Sequence, residues 1–307
     1  GKTTRAIRGE DLAALARVAD SLDGLFGMVG TSIAEVPPAA RDVAGLRIMA
    51  THTRKHLRPL LFNAENVGPM LEMAQVIAGG KPLRDCPLIS FGYSCLSPLH
   101  WAKITTDMWR NSSGHRIPLM LNGEPIAGAT SPVTLAGSVA LSNAEILAGV
   151  VLTQLLEPGR PVLHNLGFAH VTDMRTGACL SGSAECGLMA YAGARLAEFY
   201  GLPSASWMCT EAFFEEPQAT MEKVLTGFAH VIGGTNLIWG MGQLESQKAL
   251  SPVQLVIDNE IALALRRFWS GFGVSEETLA LDVIREVVEA GGEFLSHEHT
   301  LGHFREE

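Results

Sequence analysis

Short apolar runs that open into loops of carboxylates, amides and aromatic rings recur along this 307-residue chain. In order, the loops carry Thr31 and Glu35; Asn63, Glu65 and Asn66; Tyr93 and Ser94; Asn122 and Glu124; His164 and Asn165; Glu211; and Gln243 with Glu245. Phe91, Tyr93, Trp101, Phe168, Trp207, Phe213 and Trp239 fall at the same level. Acids converging among ring faces suit a small cation, and a quaternary ammonium most of all, because it has no N–H to donate and must be held by rings and carboxylates. The competing reading of the same residues is ordinary core aromatics with acids that cap helices.

Other constellations carry less chemistry. In Asp173-Met174-Arg175-Thr176-Gly177 the planar fork of Arg175 suits a carboxylate, or Asp173 and Arg175 pair to stiffen a long loop. His297, His299 and His303 have spacing that zinc sites use, but HExxH is absent and the cluster follows the last helix, so no tightly bound metal is expected. GxSxG is absent, and Cys95 and Cys209 have no neighbouring His in sequence. Gly79-Gly80 and Gly233-Gly234 read as helix C-caps rather than as a phosphate-binding loop. No catalytic residue is assigned.

The elements that must position these loops alternate. Strands are expected at Leu25–Gly30, Arg58–Asn63, Pro87–Gly92, Ile117–Asn122, Pro161–Gly167, Ser204–Cys209 and Asn236–Gly242. Helices are expected at Asp11–Leu22, Glu65–Ala78, from Ser131-Pro132 to Pro158-Gly159, and at Gly182–Tyr200, Pro217–Ile232, Val253–Trp269 and Ser275–Ala290. Unbroken alternation without GxGxxG favours an α/β chain folded as one (β/α)8 TIM-type barrel over residues 1–307, with the site at the strands' C-terminal ends. An eighth strand is expected at Lys2–Ile7 or outside this sequence. The start without Met and the end inside Arg305-Glu306-Glu307 lead us to expect a piece of a longer chain, with a barrel incomplete at its termini.

Composition narrows the class. With 47% hydrophobic residues, 32 glycines and 18% charged residues, the chain has a compact core and is not disordered. A net charge of −9 argues against a nucleic-acid partner. Five scattered cysteines without CxxC indicate reduced thiols and a cytoplasmic location. The apolar stretch Val133–Leu156 is interrupted by Ser138, Ser142, Asn143 and Glu145, and is expected as a buried core helix rather than a membrane span. The sequence leaves homo-oligomerisation open.

Several phrases together resemble one family. They are Gly128-Ala129-Thr130-Ser131-Pro132-Val133-Thr134-Leu135-Ala136-Gly137, Asn143-Ala144-Glu145-Ile146-Leu147-Ala148-Gly149, Asp173–Gly177, Ala197–Pro203, and His299-Thr300-Leu301 with His303-Phe304-Arg305. In this order, and across nearly the whole chain, they resemble the trimethylamine methyltransferase family of corrinoid-dependent enzymes. The resemblance implies a barrel that binds a methylated amine and passes one methyl to the Co(I) of a corrinoid (cobalamin) carried by a partner protein, within one-carbon metabolism. Trimethylamine-specific members carry pyrrolysine, and every residue here is standard. That moves the expectation to a quaternary amine such as glycine betaine, with the matching position sought in Asn236–Glu245. The loop reading then makes Phe91, Tyr93, Asn122, His164, Asn165, Arg175, Trp207, Glu211, Trp239 and Glu245 the substrate-binding candidates, with Arg175, Asn165 or His164 for a carboxylate. A betaine-binding member without catalysis is the alternative, and a barrel metallohydrolase using His297, His299 and His303 is a further one.

Overall fold

A computed structural model describes residues 4–305. Twelve strands are present among them: β1 (Gly27–Val29), β2 (His56–Arg58), β3 (Phe91–Ser94), β4 (Leu119–Asn122), β5 (Ile126–Ala127), β6 (Val162–Gly167), β7 (His170–Thr172), β8 (Cys179–Leu180), β9 (Ser204–Trp207), β10 (Leu237–Trp239), β11 (Gln243–Leu244) and β12 (Ala249–Leu250). Strands β3, β4, β6, β9 and β10 form one parallel sheet in chain order, and β1 pairs in parallel with β2. A parallel bridge from Leu57 to Ile89 joins β2 to the segment entering β3. Seven parallel strands therefore follow one another in sequence order; six overlap the ranges expected from the sequence, and β2 meets its expected range only at Arg58.

The sheet curls upon itself. Val29 of β1 packs into the same interior cluster as Trp239 and Leu237 of β10, so the first and last strands share one interior. Among the described residues no eighth strand pairs β10 back to β1. Of the expected eighth strand, Lys2 and Thr3 lie outside the described residues, and residues 4–7 are not extended into a strand. Near the start of β1 lies α8 (Pro252–Ser270), whose Asn259 Oδ1 accepts the Gly24 N–H at 2.8 Å.

Alternation along each strand separates two layers. Leu57, Phe91, Tyr93, Leu119, Leu121 and Leu166 face the helices and join the main core with Leu12, Leu46, Met49, Met70, Trp109 and Ile146. The opposite residues face the barrel interior. The helices that supply the outer layer are α1 (Gly9–Asp20), α2 (Arg41–His52), α3 (Val67–Ile77), α4 (Lys103–Asn111), α5 (Leu135–Leu156), α6 (Ala184–Phe199) and α7 (Pro217–Gly233). The sequence reading had no helix at α2 or α4. Pro37-Pro38 precedes α2, and its inward side is only Asp42, Gly45, Leu46 and Met49, too sparse a stripe to stand out.

Helix α5 departs from the expected buried core helix. Its inward face is mostly small and polar, with Ser138, Ser142, Glu145, Gly149 and Thr153 buried beside Ile146, while Val151, Leu152 and Leu155 are exposed. Only 28% of its most apolar window is buried, and by length and composition it could cross a membrane. It nevertheless connects two neighbouring strands of one sheet.

The chain divides into two compact units, with the boundary inside α8 after Leu265. The second carries α9 (Glu276–Leu279), α10 (Leu281–Ala290) and α11 (Glu298–His303). The single helix expected at Ser275–Ala290 is two, because Ala280 adopts a left-handed conformation at φ 51°. Ser275 caps the first, its Oγ accepting the Thr278 N–H at 3.1 Å.

Candidate functional site at the mouth of the barrel

Five strands end on the residue they present to the interior: Arg58, Ser94, Asn122, Trp207 and Trp239 close β2, β3, β4, β9 and β10. This is the C-terminal rim, where barrels of this type carry their sites.

One side of the rim is a polar ladder. Ser94, Asn122 and Asn165 stand in register on β3, β4 and β6. Asn165 Nδ2 donates to Asn122 Oδ1 at 2.8 Å, and Asn122 Nδ2 donates to Ser94 Oγ at 3.1 Å. Ser94 Oγ–H in turn donates to Glu124 Oε1 at 2.5 Å. Each amide has its partners, so the row is fixed before any ligand arrives. Burial raises the Glu124 carboxyl above the usual carboxylate range, opposed by the Ser94 hydrogen bond and the nearby Arg58 charge.

The other side is aromatic. Trp207 and Trp239 stack at 5.9 Å between ring centroids, and Phe168 meets Trp207 edge-on at 4.4 Å. Met120, Ala205 and Cys209 complete their cluster. Trp207 Nε1 donates to Gln243 Oε1 at 2.5 Å, which ties the ring to the hairpin of β11 and β12. Gly240, at φ 104°, is required at the end of β10, since a Cβ there would lie 2.1 Å from the Met208 carbonyl oxygen.

Arg58 reaches across the interior to these rings. Its Cζ lies 5.1 Å from the Trp207 centroid and 5.8 Å from that of Trp239. The residue is 6% exposed, and its Nε has no hydrogen-bond partner. Burial lowers the guanidinium to about 10, countered by the charge of Glu124. Sequence reasoning missed this residue by taking Arg58 as the first residue of a strand. It is the last, and the signal that could have shown this is Pro59, which cannot continue a ladder.

The sequence-derived candidates separate by position. Asn122, Asn165, Trp207 and Trp239 come together on the interior rim. Phe91 and Tyr93 lie on the helix-facing side of β3, where Tyr93 meets Trp109 of α4 edge-on at 5.9 Å. His164 also faces outward, its Nε2 3.0 Å from Asn143 Oδ1 of α5 and its ring 6.2 Å from that of Tyr200. Arg175 is 90% exposed at its side chain and pairs with Asp173 at 3.4 Å, the loop-stiffening arrangement. Glu211 is occupied by the entrance to α6, accepting the Ser181 N–H at 2.5 Å and the Gly182 N–H at 3.0 Å. Glu245 sits in the turn between β11 and β12 at φ 50°, its N–H donating to the Ala212 carbonyl at 2.8 Å.

Few groups here could move a proton at neutral pH. Burial pushes the Cys95 and Cys209 thiols up to about 12. It pulls His164, His170 and His230 down to about 4, so these imidazoles stay neutral. In the second unit, His297 and His303 approach separate carboxylates, Glu286 and Glu277. Among the described residues, no group of three or more His, Cys, Asp or Glu side chains is placed to hold a metal ion.

Comparison with known proteins agrees with this architecture. A family model described as trimethylamine methyltransferase (MTTB) matches residues 2–307. The chain is 33% identical over 309 residues to the trimethylamine methyltransferase MttB of Desulfitobacterium hafniense, covering 99% of this chain and 61% of that protein. It is 33% identical over 303 residues to the MttB of Methanosarcina barkeri, covering 95% and 59%. It is also 31% identical over 276 residues to a glycine betaine methyltransferase of D. hafniense, covering 89% and 57%. The chain thus spans about three fifths of the length of these relatives. Among solved structures, the monomethylamine methyltransferase MtmB of M. barkeri superposes with a TM-score of 0.61 at 12% identity, covering 86% of this chain and 58% of that one. A dihydropteroate synthase from Stenotrophomonas maltophilia gives 0.51 at 11% identity, covering 84% and 87%. At such identities the likeness is one of fold, an α/β barrel. The chain belongs to the trimethylamine methyltransferase family.

Proposed function

We propose that this barrel binds a quaternary amine, glycine betaine or a close relative, and presents one methyl group to the Co(I) of a corrinoid carried by a separate protein. One observation supports the reading best. The rim joins an aromatic pair, Trp207 and Trp239, to a half-buried carboxyl, Glu124, and the thiols and imidazoles around it are held in their neutral forms.

That combination suits methyl transfer to an external nucleophile. The C–N bond breaks as the methyl carbon bonds to cobalt, and the C–N electron pair leaves with the amine. A quaternary amine departs as a neutral tertiary amine, so the protein supplies no proton. Its task is to hold the methyl carbon in line, which the prepaired Ser94–Asn122–Asn165 ladder and the stacked tryptophans do without rearrangement. Ring faces and Glu124 stabilise the ammonium in the bound donor. The corrinoid supplies the nucleophile. Among the described residues the five cysteines are free thiols, which supports a cytoplasmic setting for this chemistry.

The test is methyl transfer by the full-length protein from a panel of betaines to Co(I) cobalamin, followed by the absorbance of methylcobalamin. Product from a quaternary amine is expected. No product from any of them, with binding retained, would leave a betaine-binding protein instead.

A further inference from the structure

We propose that Arg58 is an anion subsite that receives the carboxylate of the methyl donor, so that the molecule held here is a zwitterion and not a simple quaternary amine. The ammonium half of this inference rests on the methyl-transfer reading above, and the anion half rests on Arg58 itself.

A guanidinium that is 6% exposed has left almost all of its water. Buried charges are ordinarily paired, because an isolated one costs several kcal/mol. Arg58 has no ion pair within 4.0 Å among the described residues, and its guanidinium Nε has no hydrogen-bond acceptor. Glu124 acts on it through space, yet the Glu124 Oε1 is taken by Ser94. The tryptophan faces compensate only in part, since a ring quadrupole attracts a cation without supplying a counter-charge. Burial leaves the group at about 10, still protonated at neutral pH. Trp239 Nε1, in a ring whose centroid lies 5.8 Å from Arg58 Cζ, is a second buried donor without an acceptor. Two orphaned donors lining the same interior call for an acceptor, and the charge on one of them specifies an anion.

The local charge count points the same way. Arg58 and Glu124 offset each other across the rim. A bare ammonium added at the tryptophans would put a second cation beside Arg58, whereas a zwitterion sets its carboxylate on Arg58 and its ammonium toward Glu124. The site is built for this reach, because β3 carries Gly92 where any Cβ would stand 1.8 Å from Arg58 Nη2. Arg175, on its exposed loop, offers no comparable desolvation.

The experiment is calorimetric titration of the full-length protein with glycine betaine, choline, tetramethylammonium and acetate, in wild type and Arg58→Met. In wild type, glycine betaine should bind about 30-fold more tightly than choline, the scale of one charge-assisted pair, and acetate should compete. In Arg58→Met the preference should fall to about threefold or less, and acetate should no longer compete. An unchanged preference in the variant overturns the proposal. Should the variant not fold, wild type alone decides: equal affinity for glycine betaine and choline with no acetate competition overturns it, and the stated preference upholds it. The two readings fail differently. Arg58-dependent acetate binding without any amine binding would keep the anion subsite and sink methyl transfer; transfer from choline and glycine betaine alike would do the reverse.

Discussion

Gly92 of β3 and Arg58 of β2 occupy the same space in the barrel: a Cβ on Gly92 would stand 1.8 Å from Arg58 Nη2 and 2.4 Å from its Cζ. The long side chain crosses the interior only because its neighbour has none. This one contact links strand composition to the placement of charge at the rim.

Gly92→Ala should therefore expel the guanidinium from its seat over Trp207 and Trp239. Overpacking of an interior costs about 1–3 kcal/mol. The variant should unfold at correspondingly lower denaturant, and its tryptophan emission should change as the cation leaves the rings. A stable variant with wild-type emission would show that Arg58 does not depend on the missing Cβ.

The stacked tryptophans carry a second prediction. Trp207→Leu removes a ring face and frees Gln243, so glycine betaine affinity should fall about tenfold or more, given what a desolvated ring contributes to a cation. Phe199→Leu, at a ring 82% exposed on α6, is the control and should bind as wild type does. Equal affinities for the two variants in a calorimetric titration would remove the aromatic cage from the proposed function.

Acid should loosen the fold in a defined window. His164 and His230 are fully buried, and burial lowers each from 6.5 to about 4. Between those values the unfolded chain binds protons that the folded chain does not, so stability falls as pH drops from 6.5 toward 4 and is flat above 6.5 on their account. The slope is at most about 1.4 kcal/mol per pH unit for each group. Urea unfolding across this range should show it, and His230→Gln should lessen it while His164 keeps its own share. An unaltered slope in that variant would mean that His230 titrates alike in both states.

The seven strands were legible because buried parallel strands read as continuous apolar runs, Leu119-Met120-Leu121 being the plainest. Which face each residue took was not legible. Tyr93 and Ser94 are neighbours in sequence, yet one packs on Trp109 and the other joins the rim ladder. Neighbouring residues on a strand take opposite faces, and Phe91, Tyr93 and His164 hold the outward positions. Arg58 was hidden for another reason. Pro59-Leu60-Leu61 drew the strand forward, while the buried Asp42 captures the Phe62 and Asn63 N–H groups at 2.9 and 3.0 Å and makes that segment a loop. Arg175 had the right chemistry for a carboxylate, but local pairing with Asp173 and open solvent around it come from the loop fold, which spacing does not encode. Arg175→Ala should accordingly leave glycine betaine affinity unchanged in the same titration.

The last prediction concerns what holds the aromatic rim in place. Lys223 of α7 and Asp258 of α8 form a fully buried ion pair at 2.5 Å. Lys223 Nζ also donates to the Gly240 carbonyl at 2.9 Å, and Asp258 accepts the Gly242 N–H at 2.7 Å. The pair thus clamps the turn that follows Trp239 and leads to Gln243, the partner of Trp207. Breaking one side with Asp258→Asn leaves a buried ammonium unpaired and should cost about 3–5 kcal/mol. Replacing both, as Lys223→Met with Asp258→Leu, removes both charges and should recover most of that loss. It cannot restore the contacts to Gly240 and Gly242, so the double variant should fold while binding glycine betaine more weakly than wild type. Wild-type affinity in a stable double variant would show that the clamp serves stability alone.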